Sequence, residues 1–205
     1  MHSRTPSGAE SGPTRAEPDS RLSPELASVV AGARRRALRD GDRQIDTAHL
    51  LHSLLETDPE VRAVFENGAH VVRLLGYLVQ RSIGYGLQWQ GTVEDSGAVP
   101  VVTPAEEHAK DTGWSPAALS AMDAALERAD VRGDPRALGM DLLAGLTADP
   151  ECRAVEVLGR AGVDVEVLLL RVEAGCRQYA SGGHGFAGGH GTGRATPQVG
   201  EATPR

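Results

Sequence analysis

The chain has 205 residues, a net charge of −7 and an isoelectric point near 5.5, a length for one ordinary domain with tails and an acidity that argues against a nucleic-acid-binding surface. Aromatic residues are only 3%, so the core must be built from Leu, Val and Ala, which suits closely packed helices better than a β-sandwich. Cys152 and Cys176 make neither a disulfide framework nor a metal quartet and fit a reducing, cytoplasmic setting, while no apolar run approaches the roughly 18 residues of a membrane span and MHSRTPSGAESGPTRAEPDS lacks the apolar stretch of a signal peptide.

Residues 1–20, rich in Ser, Pro, Gly and charge, cannot bury enough surface to offset ordering entropy and are expected to be disordered. Ser23-Pro24-Glu25 predicts a helix start: a capping hydroxyl, a proline at the first position and an acid at the positive end. Leu26, Val29, Val30, Ala33 and Ala37 then share a face, and Gly41 ends the helix. Arg34, Arg35, Arg36 and Arg39 fall on it, read here as a solvated face rather than a basic patch for an acidic partner. A second helix follows Asp46 or Thr47 with the stripe Leu50, Leu51, Leu54 and Leu55. His49, His52 and Glu56 lie at helical spacing, but no second ligand pair accompanies them, and no metal site is assigned. Asp58-Pro59-Glu60 predicts a third helix closing at Asn67-Gly68. A fourth carries Val71, Val72, Leu74, Leu75, Leu78 and Val79 to about Ser82 or Ile83.

Residues 84–113 read as a linker, long for a connection within one domain; Leu87, Trp89 and the run from Val99 to Val102 are expected to pack, with a binding anchor as the alternative reading of Trp89. Ser115-Pro116 opens a fifth helix with Ala118, Leu119, Met122, Ala125, Leu126 and Ala129 inward, ended by Gly133-Asp134-Pro135. A sixth holds Leu142, Leu143 and Leu146. Asp149-Pro150 predicts the start of a seventh, with Cys152, Val155 and Leu158 inward and Cys152 acting as a small hydrophobe; the stretch from Gly159 to Gly162 breaks it. An eighth carries Val165, Leu168, Leu169 and Val172. Residues 177–205 are too rich in glycine to fold, and His184 and His190 read as part of that tail.

The order of these elements repeats. GDRQIDTAHLLHSL from Gly41 and GDPRALGMDLLAGL from Gly133 lie 92 positions apart. At the same offset Ser23-Pro24 matches Ser115-Pro116, and Ala33, Arg36 and Ala37 match Ala125, Arg128 and Ala129. After a one-residue slip, Asp58-Pro59-Glu60 and Arg62-Ala63-Val64 match Asp149-Pro150-Glu151 and Arg153-Ala154-Val155. Such an ordered run indicates an internal duplication. The expectation is an all-α domain over residues 21–176: two tandem four-helix repeats with pseudo-twofold symmetry, about 22–83 and 114–175, flanked by disordered tails.

With these motifs in this order, residues 22–175 resemble the Clp N-terminal domain, the substrate- and adaptor-receiving module of Clp-family AAA+ unfoldases. Leu22-Ser23 and Trp114-Ser115 stand at the family's aromatic-Thr starts. Ile45, Thr47, His49, Leu50, Leu51 and Leu54 match its I-G-T-E-H-I-L-L-G-L element in the first repeat; Leu143, Gly145 and Leu146 do so in the second. The sequence contains no Walker A loop and no protease constellation, so neither ATPase nor peptidase chemistry is expected. The resemblance implies a non-enzymatic protein- or peptide-binding module, with candidate binding residues Leu22, Ser23, Thr47, Ala48, Trp114, Ser115, Gly139 and Met140. Ser23 and Thr47 are expected to flank one site, Ser115 and Gly139 the other.

Its implied partners are a Clp-family unfoldase, adaptors, substrate peptides or cyclic peptides, with no cofactor, nucleic acid or membrane. It would act as adaptor, competitor or decoy; the alternative is a degenerate repeat protein working through oligomerisation or its tails. In the ClpC-like branch the Glu of each T-E-H motif receives the guanidinium of phosphoarginine, whose paired N–H donors need a carboxylate. Ala48 and Met140 stand there instead, so free phosphoarginine is not expected to bind, and Glu at both positions is expected to restore binding.

Overall fold

A serine hydroxyl followed by proline opens the first helix of each repeat in the computed structural model, which describes residues 18–65, 68–82, 94 and 113–182. Ser23 caps α1 (Pro24–Asp40) by accepting from the Leu26 amide at 3.1 Å. Ser115 caps α5 (Pro116–Arg132) by accepting from Ala118 at 3.1 Å. Both helices end on a glycine in the left-handed region, Gly41 at φ 72° and Gly133 at φ 76°, where a side chain would be strained. These start and stop signals stand at the same offset in the two repeats.

Between them run α2 (Thr47–Thr57), α3 (Pro59–Ala63) and α4 (Gly68–Ser82) in the first repeat, and α6 (Gly139–Leu146), α7 (Arg153–Arg160) and α8 (Val165–Gly182) in the second. The described residues are thus helical, without strands apart from two isolated bridges, and no described helix is long and apolar enough to cross a membrane. α2 and α6 form the centre. Every residue from Thr47 to Leu55 and every residue of α6 is buried. α1 lies along α2 and α5 along α6, while α7 and α4 pack on α2, and α3 and α8 on α6. The leucine stripes meet there: Leu50, Leu51, Leu54, Leu55, Leu142 and Leu143 have no exposed surface, and each is worth about 1.5–3 kcal/mol of burial.

The two isolated bridges stitch the repeats together crosswise. The Ser23 amide donates to the Ala137 carbonyl at 2.9 Å, and the Ala137 amide to Arg21 at 2.8 Å. Symmetrically, the Ile45 amide donates to Gly113 and the Ser115 amide to Ile45, both at 2.8 Å. The segment before the first helix of each repeat therefore pairs with the segment before the second helix of the other.

Several boundaries differ from the sequence reading. Residues 18–20, assigned to a disordered tail, belong to a 3-10 turn, Pro18–Arg21, and α8 continues to Gly182, beyond the expected boundary at residue 177. Gly68 opens α4 instead of closing the third helix, which stops at Ala63. The seventh helix begins at Arg153 and not at Asp149-Pro150. The Asp149 side chain accepts from the Glu151 amide, at 2.9 Å, whereas the Asp58 side chain accepts from both Glu60 and Val61. Val72, Val79 and Leu169 sit at 72%, 48% and 37% exposure, so they flank the buried stripes of α4 and α8 rather than belonging to them. The expected packing of Leu87, Trp89 and Val99 to Val102, and most of the tails, lie outside the described residues.

Candidate functional site

Crosswise pairing regroups the candidate residues. Ser23 and Thr47 were expected to share a site, as were Ser115 and Gly139. Thr47, the first residue of α2, and Ser115 bind the same carboxylate, that of Glu94, while Ser23 is paired to Ala137, two positions before Gly139. The reason is long-range: each helix start is held by a backbone bridge to the opposite repeat, and the offset between repeats carries no information about that exchange.

At the first of these places three helix starts converge on one carboxylate. Glu94, from the stretch that joins the repeats in sequence, is 4% exposed. Its Oε2 accepts from the Thr47 amide at 2.8 Å and from the Ser115 hydroxyl at 2.7 Å. Its Oε1 accepts from the Arg153 amide at 2.8 Å and from the Thr47 hydroxyl. The Ala154 amide in turn donates to Thr47 Oγ1 at 3.0 Å. α7 has Cys152 at its cap position, and that side chain makes no capping bond. Its first two free amides therefore go to Glu94 and Thr47, satisfying donors that a helix leaves orphaned at its start. Burying an ion is expensive unless it is fully hydrogen-bonded, and here both carboxylate oxygens are. Nothing in the sequence around Glu94, VEDSG, singles it out, since its partners are 47, 21 and 59 positions away.

Next to the carboxylate lies an ion network. Asp46 caps α2, accepting from the His49 amide at 2.9 Å. It also receives Arg81 from α4 and Arg153 from α7, each at 2.5 Å. Burial alone would raise the Asp46 pKa. The neighbouring His49 side chain and the charges of Arg81 and Arg153 outweigh it and hold the carboxyl well below its usual range. Arg81 reaches Asp42 as well, at 2.8 Å. Asp42, Asp46 and His49 lie close enough to share a metal ion, but Asp42 and Asp46 already take these guanidinium groups, and a cation there would compete with them.

The histidines of α2 are separate from each other. His49 Nδ1 accepts from the Asp46 amide at 3.1 Å, closing a capping box. Asp141, its counterpart 92 positions on, does the same for the Leu138 amide at 2.9 Å; Leu138 has no side-chain oxygen, so only that half of the box is made. His52 lies beside Arg36, 3.3 Å from its guanidinium, with Nε2 3.2 Å from Glu56. Both rings thus have structural partners on their own helix face.

The remaining candidates are closed in. Leu22 and Ser23 are 6% exposed, Met140 7% and Ala48 not at all. Trp114 lies in the core, and its backbone bridges Ile45. Gly139 packs so closely on Asp58 that a Cβ there would run into that carboxylate, and Met140 reaches the backbone of α8 at Gly175. Glu at position 48 or 140 would therefore place a carboxylate where little surface is exposed, at a cost in burial. Cys152 is fully buried, and burial pushes its thiol up to about 11, in keeping with a packing role.

No protein-family model matches this sequence, and no curated protein sequence matches it. Solved structures do. The N-terminal domain of the caseinolytic protease associated chaperone ClpD from Arabidopsis thaliana superposes with a TM-score of 0.58 at 18% identity, covering 80% of this chain and 99% of that one. The Hsp104 N-terminal domain from Candida albicans gives 0.53 at 12% identity, over 74% and 88%. A protein from structural work on a malarial secretion system gives 0.52 at 14%, over 75% and 93%. The chain has the Clp/Hsp104 N-terminal-domain fold.

Proposed function

We propose that this chain is a non-enzymatic protein- or peptide-binding module that works with a Clp-type AAA+ unfoldase in the cytoplasm, as an adaptor, a competitor or a decoy for ligands of the unfoldase's own N-terminal domain. The observation that supports this most is coverage: the similarity spans 99% of the ClpD N-terminal domain. Substrate peptides, adaptors and cyclic peptides are the candidate ligands. Phosphoarginine is not among them, because a buried Ala48 and Met140 offer a guanidinium no acceptor.

The test is a reconstituted Clp unfoldase and peptidase degrading a folded protein, with the full chain added at increasing concentration. An adaptor raises the degradation rate to a plateau; a competitor or decoy lowers it, and added substrate or adaptor, the shared ligand, relieves the effect. A rate that stays constant up to a large molar excess overturns the reading.

A further inference from the structure

Glu94 is placed as a ligand is placed. Its carboxylate is buried, and both oxygens are held by four donors from three separate elements: the amide and hydroxyl of Thr47 on α2, the hydroxyl of Ser115 at the start of α5, and the amide of Arg153 on α7. The donors themselves are fixed without Glu94. Ser115 is positioned by its cap to Ala118 and its bridge to Ile45. Thr47 is positioned by the capped start of α2 and by the Ala154 amide. Arg153 is anchored through its guanidinium on Asp46. A cradle of preset N–H and O–H donors at three helix starts is the arrangement that recognises oxyanions.

At the crosswise equivalent, built on Ser23 and the start of α6, the carboxylate pressed against Gly139 is Asp58. That residue caps α3; it belongs to the repeat itself. Glu94 lies in sequence between the two repeats.

We propose that Glu94 is a tethered occupant of an oxyanion-binding site, and that the cradle of Thr47, Ser115 and Arg153 accepts an oxyanion carried by a protein partner, a carboxylate or a phosphate group, only when Glu94 is displaced. The contact is autoinhibitory: the chain's own carboxylate competes at the effective concentration of a tether. The inference concerns the ligand site alone and stands apart from the identity of any Clp partner.

The experiment is isothermal calorimetry on the full chain with two probes, inorganic phosphate and acetate. Three proteins are compared: the natural chain, Glu94→Ala and Glu94→Gln. Glu94→Ala empties the cradle and should bind at least one probe about tenfold or more tightly than the natural chain does. Glu94→Gln, which sets an amide N–H₂ against donors, should fall between. Adding Ser115→Ala to Glu94→Ala should abolish the gain, and which probe gains separates a carboxylate site from a phosphate site. Circular dichroism establishes folding. A folded variant that gains affinity for neither probe overturns the proposal, because Glu94 is then only a borrowed cap for α2 and α7. Failure of both single variants to fold overturns it in the same way.

Discussion

His52 shows how a residue that resembles a ligand is accounted for by its neighbours. It is 3% exposed; burial first, and then the adjoining Arg36 charge, push its pKa down to about 4 against the pull of Glu56. In the unfolded chain a histidine titrates near 6.5. Between those values the unfolded state holds more protons, so the contribution of His52 is fully present above about pH 6.5 and is lost as pH falls towards 4. Asp46 acts in the same sense further down, since a carboxyl held below its usual range loses its stabilising effect once acid protonates it. Each tenfold difference in proton affinity between the folded and unfolded chain is worth about 1.4 kcal/mol, so the natural chain should lose roughly 2–3 kcal/mol between pH 7 and 4 on account of His52. His52→Gln should flatten that part of the profile. Urea titrations at a series of pH values measure it, and an unchanged slope in the variant would assign the acid sensitivity elsewhere.

At the level of the helix, the repeats solve one packing problem in two ways. The first two helices of each repeat cross closely. In the first repeat the small residue is on the outer helix: a Cβ on Gly32 would come within 3.1 Å of the Ser53 hydroxyl. In the second it is on the inner helix: a Cβ on Gly145, the counterpart of Ser53, would drive into the backbone carbonyl of Ala121. A backbone group cannot rotate aside as a hydroxyl can. Gly145→Ala should thus destabilise by about 1–3 kcal/mol through overpacking, although alanine is the better helix former by about 1 kcal/mol. Gly32→Ala should cost less, because its nearest contacts, the Ser53 hydroxyl at 3.1 Å and Cβ at 3.2 Å, need to give by only a few tenths of an ångström. Thermal or urea unfolding of the two variants checks it; equal or stabilising effects for Gly145→Ala would mean that α5 and α6 stand further apart.

The same scale explains what could be read beforehand. Ser-Pro starts, αL glycines and leucine stripes are local, and they placed α1, α2, α5 and α6. Asp149-Pro150 reads like Asp58-Pro59, yet the helix starts three residues later, because the Arg153 and Ala154 amides are engaged by Glu94 and Thr47. That outcome depends on residues far away in the chain.

Across the whole molecule the crosswise bridges make the repeats interdependent. Leu22 sits against Ala137 and Ile45 against Trp114; Asp46 ties α4 and α7 together through Arg81 and Arg153; and Arg73 of α4 donates to the Ala161 carbonyl just beyond α7 at 3.1 Å. A repeat taken alone would leave the faces of α2 or α6 and these donors in water. The duplication in the sequence reveals two copies, but not that each completes the other. The expected consequence is a single cooperative unfolding transition instead of two. Leu51 and Leu143, equivalent positions with no exposed surface, supply the test. Replacing either with Ala should cost roughly 2–5 kcal/mol. More tellingly, each substitution should shift the same transition. Far-UV circular dichroism follows all helices together. Tryptophan fluorescence in a Trp89→Phe background follows Trp114, which lies at the junction of the repeats. If Leu51→Ala and Leu143→Ala move both signals to one new midpoint, the repeats fold as a unit. A biphasic curve, with Leu51→Ala moving only one phase and Leu143→Ala only the other, would show two independently stable halves, and the bridges would then be contacts without energetic coupling.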